Sequence, residues 1–529
     1  MKTKYSKLAV IFSFVIFSFF VIGCDNASSS SDHSSKPDSK TTEDSSLYFS
    51  IQPVYTLVSL NQKATLTCQA QTDRDTLTYQ WYSCTDSSKT DSKLISAATE
   101  ATFETPAFEE KSIRYYYCLA KDDIKEVTSN VVAAAYTGLP SVYITTPDKA
   151  QITSKDEWLE NATISISGAQ NNDWNFEPVT TSIRGRGNTT WGLPKNPYAI
   201  KLDKKKEIMG MPAHKRWVLL ANYLDNSFIR NSMAFYYSEI FEMDYTVKGQ
   251  FVDLFMNGEY AGLYWFGEAI KVDSNRININ DGTKKMEDSE DKDYLIELDV
   301  YFDEPVKFRS SIRDLPYMIK NDDYMIDDNK ELTSGGQARL ERLQNKITAL
   351  ENLLYPDAAD VENLNDCSAP DETYAQIIDI DSWAKFWCVN ELMSNNELGH
   401  PKSCYFTFES SNDTFKVGPI WDFDYCSTVK SNICTTKNTI YYNALFKSPV
   451  FISKVKEIWN KYSGNISLNS QIDTLRDEVY VSVNCDAQLW GLNHNHKDIV
   501  FPDYDKHIEL VRDVLGNKLN VVNSAVEKL

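Results

Sequence analysis

The chain has 529 residues, and 42% of them are hydrophobic. That length and composition allow the burial of two or three domain cores. The formal net charge is -21 at pH 7, whereas nonspecific nucleic-acid binding depends on clustered Lys and Arg. We therefore expect no nucleic-acid partner.

The first 23 residues have the pattern of a signal peptide. Three lysines within the first seven residues precede an apolar run over 8–22, which is followed by Gly23 and Cys24. The run is shorter than the roughly 20 residues of a membrane-spanning helix, although a membrane anchor is the alternative interpretation. A small residue before cysteine suits cleavage and acylation, so we predict a lipoprotein signal peptide over 1–23 and lipid on Cys24. The chain is then expected outside the cytoplasm, in a bacterial cell envelope, held to the membrane by that lipid.

Residues 24–46 have the composition of a tether. Ser, Asp, Lys, Thr and Glu dominate, with no aromatic or β-branched aliphatic residue to support a core. We expect a flexible coil that holds the next domain on the order of 25 Å from the membrane. The chain has ten cysteines, so nine remain if Cys24 is acylated, and at least one thiol is unpaired.

Residues 47–137 predict an all-β module, because short alternating strands such as 64–68 and 78–81 are separated by turn residues. Cys68, Trp81 and Cys118 occur in the order typical of an immunoglobulin sandwich, with Tyr116 two residues before the second cysteine. The module therefore resembles the immunoglobulin-like family, and the resemblance implies a Cys68–Cys118 disulfide, although Cys84 is a third candidate for pairing. A spacer or docking role is favoured over ligand capture, since the fold alone implies no activity.

A glycine-rich loop follows a predicted strand at residues 180–191, TTSIRGRGNTTW. The backbone N–H groups of such a loop can approach phosphate oxygens, and Arg184 and Arg186 can supply charge near Gly187. The next strand, 198–202, places Lys201 between apolar residues, much as protein kinases place a phosphate-binding lysine. A plain turn and an outward-facing lysine are the alternatives.

The next segments complete a plausible nucleotide-binding lobe. A polar cap at 225–227 predicts a helix over 228–241. Two apolar strands, 251–256 and 260–266, flank Asn257 and Gly258, and this dipeptide is a strong hairpin signal.

Residues 139–428 resemble the CotH kinases, a family named for a spore-coat protein. The resemblance is carried by stretches in the family's order, which are IRGRGNTTW (183–191), WVLLANY (217–223), NGEYAGLY (257–264), EAIKV (268–272) and GPIWDFD (418–424). It implies an α+β atypical protein-kinase-like two-lobed domain over 138–529, completed by a helical part over 438–529. It also implies ATP, Mg²⁺ or Mn²⁺, and transfer of phosphate to Ser or Thr of exported or surface proteins. The nucleotide-binding residues it assigns are Arg184, Arg186, Gly187, Lys201 and Glu268.

The catalytic residues are expected in the second lobe, where a predicted helix over 380–393 leads into residues 394–397. The resemblance places Glu397 where family members often have an Asp that is the proposed base. Asn396 is assigned as a metal ligand, with Asn395 and His400 as alternatives, because Lys402 falls near the position of an amide ligand.

Asp422 and Asp424 are the favoured metal ligands. Alternation puts both carboxylates on one face if the preceding strand continues through them. Without the family resemblance, a pair of capping carboxylates would be the preferred interpretation. With the resemblance, metal ligands are preferred.

A noncatalytic surface adhesin is the competing hypothesis for the whole chain. It would keep the fold and bind a protein or glycan, partly through the immunoglobulin-like module. The scarcity of ATP outside the cytoplasm and the Glu397 departure favour it, whereas the loop, Lys201 and the two aspartates favour the kinase.

Cys24→Ala tests the predicted anchor. Acylation requires the thiol, so the variant is expected to stay unlipidated and to move from the membrane fraction to the aqueous phase of a detergent partition. A wild-type-like partition would exclude Cys24 as the anchoring residue.

Overall fold

The computed structural model describes residues 46–280, 292–492, 501 and 503–529. The predicted signal peptide, Cys24 and nearly all of the tether lie outside these residues. Within the described ranges, no helix is long and apolar enough to cross a membrane.

The first module is all-β, as predicted. Its central sheet has the order β2-β10-β8-β5-β6, with β9 beside β8, and two smaller sheets pair β1 with β4 and β3 with β7. The strands are β1 (Tyr48–Ile51), β2 (Thr56–Leu57), β3 (Thr65–Thr67), β4 (Gln69–Gln71), β5 (Thr78–Cys84), β6 (Lys93–Leu94), β7 (Thr102–Glu104), β8 (Ser112–Lys121), β9 (Glu126–Thr128) and β10 (Val132–Tyr136).

The core of this module contains all four residues that carry the immunoglobulin-like resemblance. Cys68, Trp81, Tyr116 and Cys118 are buried in one cluster, and Trp81 lies opposite Cys118 in the β5–β8 ladder. The two thiols interact directly, but both are free cysteines in the structure. The disulfide therefore stays a prediction.

A closed barrel follows, in the order β11-β12-β13-β14-β15-β17-β16. Alternating apolar side chains such as Ile164, Ile200, Leu202 and Trp217 fill its interior. Its strands are β11 (Ser141–Thr145), β12 (Leu159–Ser167), β13 (Phe176–Gly185), β14 (Tyr198–Ile208), β15 (Met211–Leu220), β16 (Gly249–Met256) and β17 (Glu259–Glu268).

The predicted hairpin is confirmed at β16 and β17, which pair antiparallel up to Met256 and Glu259. Asn257 and Gly258 both have positive φ, 55° and 89°. Only a turn of that kind matches the twist of the two strands, and Asn-Gly adopts it at little cost.

A second sheet, in the order β19-β20-β18-β21-β22, stands beside the barrel. Its strands are β18 (Tyr294–Leu298), β19 (Lys307–Arg309), β20 (Pro316–Ile319), β21 (Cys404–Glu409) and β22 (Thr414–Val417). Because β22 ends at Val417, the expectation that a continuous strand carries Asp422 and Asp424 on one face is wrong. Gly418 has a φ of 124° and Pro419 cannot donate to a ladder, so the strand stops before them.

Helices make up most of the described residues after 438, and of the earlier helices α3 packs against β22 of the second sheet. The predicted helices over 228–241 and 380–393 are observed with slightly shorter bounds, as α1 and α3. The helices are α1 (Arg230–Ile240), α2 (Ser334–Leu354), α3 (Ile380–Leu392), α4 (Tyr442–Leu445), α5 (Pro449–Tyr462), α6 (Leu468–Trp490) and α7 (Tyr504–Glu527).

Asp253 on β16 joins the first module to the barrel and to α6. Its buried carboxylate accepts hydrogen bonds from Thr137 Oγ1 at 2.6 Å, Tyr260 Oη at 3.0 Å and Ser482 Oγ. Tyr55 of the first module stacks on Tyr260, with ring centroids 4.9 Å apart. The module is therefore packed against the barrel, and the described residues between 46 and 529 belong to one compact unit.

Asp253→Ala is expected to lower the free energy of unfolding by about 2–3 kcal/mol, because it leaves three hydroxyl donors without their acceptor.

Burial raises the pKa of Asp253 to about 6, so the protonated carboxyl stabilises the fold below about pH 4 and that contribution is lost as the pH rises toward 6. The difference between wild type and variant should thus grow as the pH falls from 7 to 5. Urea unfolding curves measure it, with exposed Asp203→Ala as the control; equal effects of the two variants would contradict the role of Asp253.

Candidate active site

One cavity of about 1070 Å³ lies between the barrel and the second sheet, lined by both. It brings together six of the residues singled out from the sequence, which are Arg184, Arg186, Gly187, Glu397, Asp422 and Asp424. Three others, Lys201, Glu268 and Asn396, are not among the described residues that line it.

The glycine loop forms one wall of the cavity, where β13 ends. Gly187 has a φ of 81°, and a Cβ there would lie 2.2 Å from Thr190 Oγ1. A Cβ on Gly185 would lie 2.3 Å from the Trp191 ring. These two contacts explain why the motif combines glycines with a following tryptophan: only glycine leaves space for both side chains.

Several cationic side chains line the cavity next to the glycine loop, and two of them contact the Trp158 ring. The guanidinium carbons of Arg184 and Arg216 lie 4.6 and 4.8 Å from the Trp158 ring centroid. Burial and the neighbouring Arg184 lower the pKa of Arg216, and burial with Lys320 and Arg216 lowers the pKa of Lys271. Asp323 offsets part of this repulsion at both Arg216 and Lys271, and an anionic ligand would relieve the rest.

Lys201 lies beside this group but is not among the described residues that line the cavity. Its barrel neighbours Ile200 and Leu202 point into the core, so Lys201 lies on the outer face, opposite Arg216 in the β14–β15 ladder. Its Nζ is 5.9 Å from the Trp158 ring centroid. Among the described residues, Arg216 and Lys271 line the cavity and Lys201 does not, so a contact between Lys201 and phosphate stays a prediction.

Glu268 lies outside the cavity, fully buried behind its wall. It accepts hydrogen bonds from Tyr245 Oη at 2.6 Å and from Lys248 N at 3.1 Å, and its Oε1 is 3.4 Å from Arg276 Nε. Arg276 in turn donates to the carbonyls of Arg216 and Ala269, both of which line the cavity. Glu268 is thus linked through Arg276 to two residues that line the cavity, and its predicted contact with the nucleotide is not supported by its position.

The loop after α3 carries Glu397 into the cavity. Asn395, which is buried, accepts a hydrogen bond from Glu397 N at 3.1 Å and begins the 3₁₀ turn Asn396–Gly399. Asn396 is exposed on that turn, so its predicted role as a metal ligand is not supported by its position. Glu397 Oε1 lies 3.0 Å from Lys402 Nζ, and although burial opposes it, this contact raises the pKa of Lys402.

Asp422 and Asp424 concentrate negative charge in the part of the cavity next to Arg186 of the glycine loop. Burial and the nearby Glu397 raise the pKa of Asp422, which Arg186 partly opposes. Burial and Asp422 raise the pKa of Asp424 well above its ordinary value. Carboxylates in this state lack sufficient positive partners, which is the deficit that a bound cation removes.

Asp422 and Asp424 fit a cation that is held jointly by the protein and a bound ligand better than a cation that is held by protein side chains alone. Among the described residues, no group of three or more His, Cys, Asp or Glu side chains is arranged to hold a metal. Mg²⁺ is commonly held by one or two carboxylates together with water and substrate phosphates. Two aspartates facing an anion-attracting wall meet that requirement.

Residues 183–520 match a family model described as "CotH kinase protein". A comparison with curated proteins found no match. The solved structures that are similar to part of the chain include the following two. "Titin Ig tandem domains A164-A165" has 12% identity, a TM-score of 0.13, and coverage of 30% of this chain and 89% of that chain. The fibronectin(III)-like modules of Clostridium thermocellum CbhA have 14% identity, a TM-score of 0.15, and coverage of 32% and 90%. These TM-scores are too low to bear on the fold.

Proposed function

This chain belongs to the CotH kinase protein family, and from that premise we propose that it transfers the γ-phosphate of ATP to Ser or Thr of exported proteins. The observation that carries the proposal is the convergence of the glycine loop, Glu397, Asp422 and Asp424 on one cavity. In this proposal the barrel and the second sheet, which bound the cavity, correspond to the two lobes of a kinase-like domain.

We assign the phosphates of ATP to the cations on the barrel side. Arg184, Arg216 and Lys271 line the cavity and lie close to one another, so a polyphosphate would replace their mutual repulsion with attraction. The backbone N–H groups of the glycine loop would add uncharged donors to the same oxygens. Lys201 then contributes long-range charge and no direct contact.

Asp422 and Asp424 would hold Mg²⁺ or Mn²⁺, which when bound offsets charge on the phosphate oxygens. Both carboxylates line the cavity, and the raised pKa values described above indicate that a cation would stabilise their ionised forms. Arg186 supplies part of this positive charge from the glycine loop.

Glu397 is the proposed acceptor of the proton from the substrate hydroxyl. As the hydroxyl oxygen bonds to the γ-phosphorus and ADP leaves, the hydroxyl proton passes to the carboxylate. Since Lys402 engages Oε1 of Glu397, we assign the proton to Oε2. Lys402 also brings a positive charge close to the transferred group.

One observation favours a second candidate function. Glu397 is in an ion pair with Lys402 at 3.0 Å, an arrangement that a noncatalytic surface protein would also tolerate. In that alternative the chain binds a protein or glycan, and the immunoglobulin-like module takes part. Under either proposal the chain acts outside the cytoplasm, attached to the membrane through lipid on Cys24. Titration of ATP with Mg²⁺ separates the two, since only the kinase requires binding.

Substitutions of the three carboxylates should separate metal binding from proton transfer. Asp422→Asn or Asp424→Asn removes a negative charge from the cation site, so Mg²⁺-dependent ATP binding and autophosphorylation should both fall sharply. Glu397→Gln keeps the shape but cannot accept a proton, so ATP should still bind while phosphate transfer falls by about 10²–10⁴-fold. Calorimetry and radiolabelled transfer measure the two quantities.

The outcome against the kinase is equally specific. Wild-type protein that binds no ATP with either Mg²⁺ or Mn²⁺ would exclude phosphotransfer and leave the binding-protein alternative. Asp413→Asn is a matched control, because that aspartate pairs with Lys346 away from the cavity.

Cation substitutions test the reassignment from Lys201. Arg216→Ala and Lys271→Ala should each weaken ATP binding by about tenfold or more, as expected when a charge-assisted hydrogen bond is lost. Lys201→Ala should have a smaller effect, and Lys204→Ala, at an exposed position of the same strand, should have none. Adenosine binding should not change in any of them; a larger loss in Lys201→Ala than in Arg216→Ala would restore the original assignment.

A further inference from the structure

Asp299, directly after β18, connects two turns at the cavity. Its side chain is buried at 6% relative exposure. Oδ1 accepts a hydrogen bond from Tyr301 N at 2.9 Å, and Oδ2 accepts one from Ser403 N at 3.1 Å. The carboxylate thus fixes its own turn and the residue that precedes β21.

Strand pairing brings these two segments together. Leu298 on β18 lies opposite Cys404 on β21, and Val300 N donates to Pro401 O at 3.0 Å. The register of the second sheet therefore places Asp299 beside Ser403, although 103 residues separate them along the chain.

Ser403 continues the connection to Asp422. Its Oγ donates to Asp422 Oδ2 at 3.3 Å. Ser403 and Asp422 both have left-handed backbone conformations, with φ of 50° and 71°. Such conformations are costly for residues other than glycine and persist where the surrounding structure enforces them, most often at functional sites.

The backbone beyond Asp422 is also fixed. Phe423 N donates to Asn231 Oδ1 of α1 at 2.7 Å. The Asp422 side chain is thus fixed by the Ser403 hydroxyl, and the backbone after Asp422 is fixed by the Asn231 side chain of α1. Asp424, by comparison, has its environment set by neighbouring charges.

We propose that Asp299 and Ser403 are positioning residues, which fix the loop before β21 and aim the Asp422 carboxylate into the cavity. The inference rests on the proposed function, because it takes Asp422 as a ligand of the divalent cation. Neither residue is assigned a contact with the substrate. Residues that orient a metal ligand in this way commonly change metal affinity by about 10–100-fold when they are substituted.

Mn²⁺ binding tests the proposal apart from turnover. The full chain is titrated with Mn²⁺ in the presence of ADP, and the bound ion is followed by electron paramagnetic resonance. Ser403→Ala and Asp299→Asn are expected to weaken Mn²⁺ binding by about 10–100-fold, while ADP binding without metal stays as in the wild type. Ser411→Ala, an exposed serine just beyond the other end of β21, should match the wild type.

Ser403→Gly separates positioning from folding. Glycine suits the left-handed backbone at this position, so the variant should melt close to the wild-type temperature. It nevertheless lacks the hydroxyl, and the same loss of Mn²⁺ affinity is expected.

The outcomes distinguish this inference from the kinase itself. Unchanged Mn²⁺ affinity in both Ser403 variants would overturn the positioning role and leave the kinase proposal intact. Wild-type protein that binds Mn²⁺ with ADP but transfers no phosphate would overturn the kinase, while weaker binding in the variants would still support positioning. A wild type that binds no Mn²⁺ would overturn both.

Discussion

The burial of several carboxylates around one cavity is the constraint on which the rest of the structure depends. Asp422, Asp424 and Glu397 repel one another, so the fold must place positive charge against them. Arg186 does so from the glycine loop and Lys402 from the loop before β21. Arg186 directly follows β13 of the barrel, and Lys402 precedes β21 of the second sheet. Because buried carboxylates are costly without positive partners, the carboxylates favour an arrangement in which the barrel and the second sheet stay in contact.

Buried ion pairs extend this arrangement to the C-terminal helices. Glu391, on α3, pairs with Lys518 of α7 at 2.5 Å and accepts the backbone N–H groups of Thr435 and Thr436. That carboxylate secures the segment that follows Asp424. Removal of one partner from such a pair leaves a buried charge, which costs far more than the pair contributes. The helices after residue 438 thus support the cavity, although none of their described residues lines it.

Local patterns were sufficient to predict the hairpin at Asn257 and Gly258 and the glycine loop, because φ preferences and close contacts act over a few residues. The position of Lys201 could not be read in the same way. Alternation puts Lys201 on the same face of the barrel as its cross-strand partner Arg216, so it cannot tell which of the two cations borders the cavity, and only the three-dimensional arrangement places Arg216 in the lining. Asp299 had no local signal at all, since its partner Ser403 becomes a neighbour only through the β18–β21 register.

The first module is packed against the barrel, whereas a flexibly tethered spacer would have no fixed position relative to the cavity. Asp253 accepts hydrogen bonds from the end of that module, from the β16–β17 hairpin and from α6, so one buried carboxylate links all three. Its raised pKa reflects the burial that this packing requires. A macromolecule bound to the module would consequently be held at a fixed distance from Glu397 and Asp422. In such an arrangement binding by the module raises the effective concentration of an acceptor hydroxyl at the cavity, which a flexibly attached module could do only over a wider volume.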